Sequence, residues 1–154
     1  MTTEIRPIEN AEEKQAICRA ILEALPEWFG IPEAREEYIR ESADKRFFAA
    51  MDGDSPVGFL YLKETGRDTV ELYVMGVLKA RHRTGAGRAL VEAAKQAARE
   101  AGYAFMQVKT VQIGKYAEYD ATNRFYLAMG FREFEVFPQL WDEWNPCQVY
   151  VMGL

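Results

Sequence analysis

Gly85 and Gly87 stand one residue apart in the stretch Arg81-His82-Arg83-Thr84-Gly85-Ala86-Gly87-Arg88, and the chemistry open to such a stretch is anion binding. Without Cβ atoms the backbone can approach a ligand closely. The run before it, Val70 to Leu78, reads as a strand, and the run after it, Ala89 to Ala101, reads as a helix. The glycines therefore open a helix whose unpaired N–H groups and positive dipole end point into the turn. Lys79, Arg81, Arg83 and Arg88 lie in positions 79–88 with no acid among them, although the whole chain carries a formal −5. A helix start ordinarily favours Asp or Glu, so a basic start fits a bound phosphate. A strand-to-helix turn with no ligand would also use glycine, and the basic cluster separates the two readings.

Two common phosphate motifs do not fit. The P-loop ends in Gly-Lys-Ser/Thr, whereas Gly87 is followed by Arg88-Ala89. The dinucleotide fingerprint needs Gly or Ala where this chain has Leu90, and an acid at the end of the next strand, where it has Lys109-Thr110-Val111.

The stretch His82-Arg83-Thr84-Gly85-Ala86-Gly87 resembles the acyl-CoA pyrophosphate loop of the GNAT acetyltransferase superfamily, Gln/Arg-x-x-Gly-x-Gly/Ala, with His82 departing at the first position. The downstream stretch Phe125-Tyr126-Leu127-Ala128-Met129-Gly130-Phe131 is similar to the superfamily's aromatic-Tyr pair followed by Gly-Phe. The resemblance implies acetyl-CoA as co-substrate, held by His82, Arg83, Thr84, Gly85, Ala86, Gly87 and Arg88. It also implies that the strand segment Met75-Gly76-Val77 offers backbone groups to the pantetheine arm and the thioester carbonyl. Gly76 in an apolar strand fits a bulge or a close backbone approach, and a glycine kept for packing fits the same letters.

The implied reaction is attack of a primary amine on a thioester, without a covalent acyl-enzyme. Tyr126 matches the superfamily's usual general acid, since a phenol stays protonated at neutral pH and can protonate a departing thiolate. A core tyrosine is the other reading. Glu71 is the candidate base, a lone carboxylate in Val70-Glu71-Leu72-Tyr73-Val74 at a position where several members carry a catalytic Glu. Alternation puts Glu71, Tyr73 and Met75 on one face, which equally fits the half-wet side of a sheet. The superfamily's cofactor-contacting Asn falls here on Tyr119, leaving Asn123 or Thr122 as stand-ins. His82 suits phosphate contact or solvent better than acid–base work.

Acceptor recognition is expected from the segments most particular to this chain, Trp28-Phe29-Gly30, Lys115 to Asp120 with Tyr116, and Trp141-Asp142-Glu143-Trp144-Asn145-Pro146. Aromatic rings interleaved with acids suit a cation. The same letters fit a hydrophobic plug or a homodimer contact. A small-molecule amine is favoured over a protein or peptide amine, and a non-catalytic acyl-CoA sensor is the reading from another class.

These residues need an α/β frame to place them. Glu4 to Ile8 reads as a strand. Asn10 caps a helix to about Leu25 with Ile17, Ile21 and Leu25 on its buried face, and Cys18 fills core. Pro32 opens a helix to Ser42. Arg46 to Met51 and Val57 to Lys63 form a hairpin around Asp52 to Pro56, and Thr69 to Leu78 is the long strand. The glycine-led helix shows a small-residue face, Leu90, Ala94, Ala97 and Ala101, and ends at Gly102. Tyr103 to Val111 is a strand, Ile113 to Tyr119 irregular, Thr122 to Met129 a short helix, and Phe131 to Phe137 and Gln148 to Met152 are strands. Together they predict a GNAT-like fold, a mixed, mostly antiparallel twisted sheet of about seven strands with helices on both faces, as one domain over 1–154.

Bulk properties narrow the partners. The 154 residues are 49% hydrophobic and 13% aromatic, enough for a real core. No apolar run reaches the ~20 residues of a membrane span, and the first residues lack a signal pattern, so the expected location is the cytoplasm, with no membrane partner. The acidic balance argues against nucleic acid. His82, Cys18 and Cys147 are the only soft ligands, so no metal site is expected, and nothing demands a disulfide.

Overall fold

The computed structural model describes residues 3–154. Chain order is β1 (Glu4–Ile8), α1 (Ala11–Glu23), α2 (Pro32–Ser42), β2 (Arg46–Asp52), β3 (Ser55–Glu64), β4 (Thr69–Val77), α3 (Ala86–Glu100), β5 (Phe105–Val111), α4 (Ala117–Ala128), β6 (Arg132–Phe137) and β7 (Cys147–Gly153). The strands form one mixed seven-stranded sheet in the order β1-β2-β3-β4-β5-β7-β6. Local chemistry explains most boundaries. Asn10 accepts the Glu13 N–H at 2.9 Å and starts α1, and Pro32 sits in the first turn of α2. The β2–β3 hairpin closes on Asp52↔Ser55, leaving Gly53 at φ +61 in the tight turn.

Among the boundaries that differ from the sequence reading, two concern α3 and α4. α4 begins at Ala117, inside the stretch expected to be irregular. Its N-cap Tyr116 has extended backbone and no side-chain cap bond, so the usual polar start signal is missing. Asp120 reaches back instead, accepting the Gly114 N–H at 2.7 Å. α3 ends at Glu100, and Ala101 is exposed rather than part of the packing face.

Contacts cluster into two units. The first comprises residues through Lys63 with Leu72–Ala97. Its core stacks Phe47 on Phe59 at 5.3 Å and on Tyr61 at 6.1 Å, beneath Ile17, Cys18, Ile21, Leu22 and Leu25 of the α1 segment. Fully burying such side chains stabilises by roughly 1.5–3 kcal/mol each before entropy is counted. α3 packs on the opposite face, because a Cβ on Gly58 would meet Leu90 at 3.4 Å while the next residue, Phe59, faces α1.

The second unit comprises Glu64–Glu71 and Ala98–Leu154. Within it β5 pairs antiparallel with β7 from Phe105↔Gly153 to Val111↔Cys147, and β7 with β6 from Arg132↔Val151 to Phe137↔Cys147. The register shifts between Glu133 and Glu135. Cys18 and Cys147 are both free and fully buried.

Candidate functional site

The glycine turn is built from the end of β4. Leu78 N–H binds the Val57 carbonyl at 2.9 Å, a single 3-10 turn spans Lys79–Arg81, and the His82 N–H closes it on Lys79 O at 3.1 Å. The ring Nε2 of His82 lies 2.7 Å from the Val77 carbonyl oxygen. A carbonyl only accepts, so the imidazole donates and pins the loop to the strand. Trp28 stands edge-on to the same ring at 5.9 Å.

Beyond His82 the backbone alternates in hand. Arg83 has φ +64, the one positive φ of a non-glycine among the described residues, and Gly85 has φ +91. Such alternation turns successive N–H groups toward a common point, an anion-binding nest. The first α3 bond runs from Ala89 N–H to Gly85 O at 3.0 Å. The N–H groups of Ala86, Gly87 and Arg88 thus precede the ladder and face the turn. α3 has no acid in its first turn.

The basic cluster is smaller in space than in sequence. Lys79 pairs with Glu27, and Arg81 pairs with Asp52 at 2.5 Å. Thr84 Oγ1 donates to Arg81 O at 2.5 Å, so that hydroxyl stabilises the turn. Arg83 and Arg88 are exposed and, among the described residues, make no ion pair. They are the cations of the cluster whose charge is not taken up by a neighbouring acid.

β4 is irregular. Tyr73 meets Tyr38 and Tyr61 at 5.9 Å each, on the face that carries α1 and α2. A Cβ on Gly76 would stand 3.0 Å from Ile21 Cγ2 and 3.1 Å from Leu25 Cδ1, toward that same face. Alternation forbids residues three apart from sharing a face, so the side-chain register breaks between Tyr73 and Gly76 as at a bulge. Gly76 itself is required by the packing of α1. The Val77 carbonyl is taken by His82, and Met75 is half-buried. The parallel pairing of β4 with β5 covers Thr69↔Phe105, Val70↔Met106 and Glu71↔Gln107.

In the second unit, Glu71 has only 5% of its side chain exposed, and its Oε1 lies 2.9 Å from Lys109 Nζ. Sequence reading missed Lys109, although alternation along β5 sets it on the Gln107 face, which Glu71 shares through its pairing. Tyr126 is buried on the other face, where α4 lies. Its ring packs on Phe125, Phe131 and Tyr150 at 5.6, 5.7 and 6.3 Å. Burial pushes its phenol well above the ordinary value, with smaller contributions from Tyr119 and Glu71.

Asn123 has a different job from the cofactor contact considered for it. It is fully buried, its Nδ2 donates to Val111 O at 2.8 Å and to Tyr119 O at 2.7 Å, and its Oδ1 accepts the Tyr150 hydroxyl at 2.5 Å. It braces α4 against β5 and β7.

The segments expected to meet an acceptor divide. Trp28 and Phe29 are half-buried against the α1–α2 core, with Phe29 at 6.2 Å from Tyr38. Tyr116 and Trp141 are exposed. The Asp142 carboxylate is engaged by its own loop, accepting from the Trp144 and Asn145 N–H groups at 2.8 Å and from the Asn145 amide. The Asn145 amide bond chiefly holds the acid below its usual range, which backbone donors reinforce. That carboxylate is turned to loop closure rather than to a cation. No group of three metal-ligating side chains occurs among the described residues, and no helix of the described residues is long and apolar enough to cross a membrane.

Residues 43–133 match the family model of the acetyltransferase (GNAT) domain, more than half of the chain. Among curated proteins, none matches in sequence. Among solved structures, a GNAT-family protein from Desulfovibrio desulfuricans superposes with a TM-score of 0.82 at 21% identity, covering 99% of both chains. The NatC complex bound to Gag peptide and CoA is similar at TM-score 0.76 and 17% identity, over 100% of this chain and 99% of that one. An aminoglycoside 6′-N-acetyltransferase complexed with coenzyme A reaches 0.75 at 18% identity, over 97% and 96%.

Proposed function

Because the chain belongs to the GNAT acetyltransferase family, we propose that it transfers the acetyl group of acetyl-CoA to the primary amine of a small molecule by direct attack. The observation that carries the cofactor half of this reading is the turn itself. Opposite-handed residues at Arg83 and Gly85 lead into a helix start without acids, flanked by two unpaired arginines. A pyrophosphate suits that combination of N–H groups and guanidinium charge. The backbone of Met75 and Gly76, in the irregular stretch of β4, is assigned to the pantetheine arm.

In the reaction, the amine lone pair attacks the thioester carbon, forming the N–C bond and sending the carbonyl pair to oxygen. Collapse of that adduct breaks the C–S bond. The sulfur takes a proton from the Tyr126 hydroxyl, and the surplus proton on nitrogen passes to Glu71, directly or through water. Glu71 and Tyr126 lie on opposite faces of β5 and serve different atoms. A phenol with a raised pKa is always protonated when the thiolate forms, and burial that weakens it as an acid also makes a desolvated thiolate more basic. Burial pushes the Cys18 thiol up to about 12 and Cys147 up to about 11. Neither supplies a nucleophilic thiolate, which favours direct attack over an acyl-enzyme.

Two buried free cysteines fit a reducing compartment, and the cytoplasm is the proposed location. Gly87→Val tests the cradle, because its side chain would crowd the space a diphosphate needs. Calorimetry should show acetyl-CoA affinity falling about tenfold or more, the loss of one or two charge-assisted hydrogen bonds, in a cooperatively folding variant. Unchanged affinity removes the turn from the site.

A further inference from the structure

The Glu71–Lys109 pair names an acceptor class, an inference that rests on the acetyltransferase reading above. Glu71 and Lys109 form an ion pair at 2.9 Å in which the carboxylate side chain is 5% exposed and the ammonium side chain 27% exposed. The cation lies toward solvent and the anion beneath it. Lys109 sits opposite Val149 in the β5–β7 ladder, so its side chain emerges on the face away from Tyr150 and α4. On the same face Phe105 is exposed and Gln107 partly so. An ammonium has three N–H donors. One goes to Glu71, and among the described residues no other acceptor meets the rest.

An acceptor that reaches Glu71 must therefore pass a positive charge. A polyamine or any amine carrying only positive charge meets repulsion there. An α-amino acid does not, because its carboxylate and amine are separated by one carbon and match the adjacent opposite charges of the pair. We propose that the acceptor is a free α-amino acid or close analogue, its carboxylate taken by Lys109 while its amine is turned toward Glu71. The product is then an N-acetyl amino acid with the carboxylate unchanged, and CoA leaves as the thiol. A peptide N-terminus offers an amide where the carboxylate would stand, so Lys109 selects against it.

The test compares each amino acid with its own carboxamide as acceptor, following free CoA. For the preferred side chain, kcat/KM for the acid should exceed that for the amide by about tenfold to a hundredfold, the value of one charge-assisted hydrogen bond. The difference should fall mainly in KM. Lys109→Met should bring the ratio near one, and Lys109→Arg should retain it, because a guanidinium still pairs with a carboxylate. Equal use of acid and amide by the wild type, or a preference that survives in folded Lys109→Met, overturns the assignment while leaving the acetyltransferase reading intact. Absence of CoA release with every acid, amide and simple amine overturns both.

Discussion

Tyr126 combines burial with a raised pKa, so replacing it separates proton donation from packing. Tyr126→Phe keeps the ring against Phe131 and Tyr150 and removes one oxygen. Its kcat should drop by ~10²–10⁴, the usual share of general acid catalysis, with acetyl-CoA affinity nearly unchanged. Wild-type kcat at acceptor saturation would make Tyr126 a core residue. Asn123 predicts the reverse pattern. Asn123→Ala leaves the Tyr150 hydroxyl and the Val111 carbonyl without their buried partner, so urea unfolding should show a loss of about 2–4 kcal/mol. Unaltered stability would dissolve the brace. The packing of Tyr126 on Phe131 was legible in sequence because both lie within one motif. Lys109 was not, because its partner Glu71 is 38 residues away and meets it only through strand pairing.

Among the elements, two glycines near the proposed cofactor site do different work, and one substitution at each tells them apart. At Gly76 the constraint is space, since a Cβ would lie about three ångströms from two buried methyl groups of the α1 segment, Ile21 Cγ2 and Leu25 Cδ1. Gly76→Ala should cost about 1–3 kcal/mol in denaturant unfolding. At Gly85 nothing would touch the new methyl, but φ is +91, a region where an L side chain is strained by roughly 1–2 kcal/mol. Gly85→Ala should weaken acetyl-CoA binding in calorimetry more than it lowers stability. A binding loss at Gly76 equal to that at Gly85 would contradict this division. The strands and most helix starts were legible because Asn10, Pro32 and the hairpin glycine act locally. The start of α4 was hidden because Tyr116 carries no capping side chain and Asp120 closes the loop from inside the helix. The break in β4 was hidden too, since Tyr73 and Gly76 share a face only because α1 and α2 pack there.

For the whole molecule, a net charge of −5 would oppose a polyanionic cofactor, so the proposed binding of acetyl-CoA rests on the local field of the turn. The two thiols matter to any assay of it. Both are buried, with Cys18 pushed up to about 12 and Cys147 up to about 11. At pH 8 a thiol reagent should therefore label neither in the native protein and both after denaturation, as read by intact mass. Rapid native labelling would show a burial weaker than the fold implies. Silent protein thiols leave CoA as the thiol that appears on turnover. The most direct test of acetyl transfer is then release of CoA from acetyl-CoA, followed with a thiol reagent across a panel of amines, with the product weighed by mass spectrometry. Amine-dependent release matched mole for mole by an N-acetylated product is the expected result. Tight acetyl-CoA binding with no release above hydrolysis for any amine would contradict it and leave a sensor of acyl-CoA in its place.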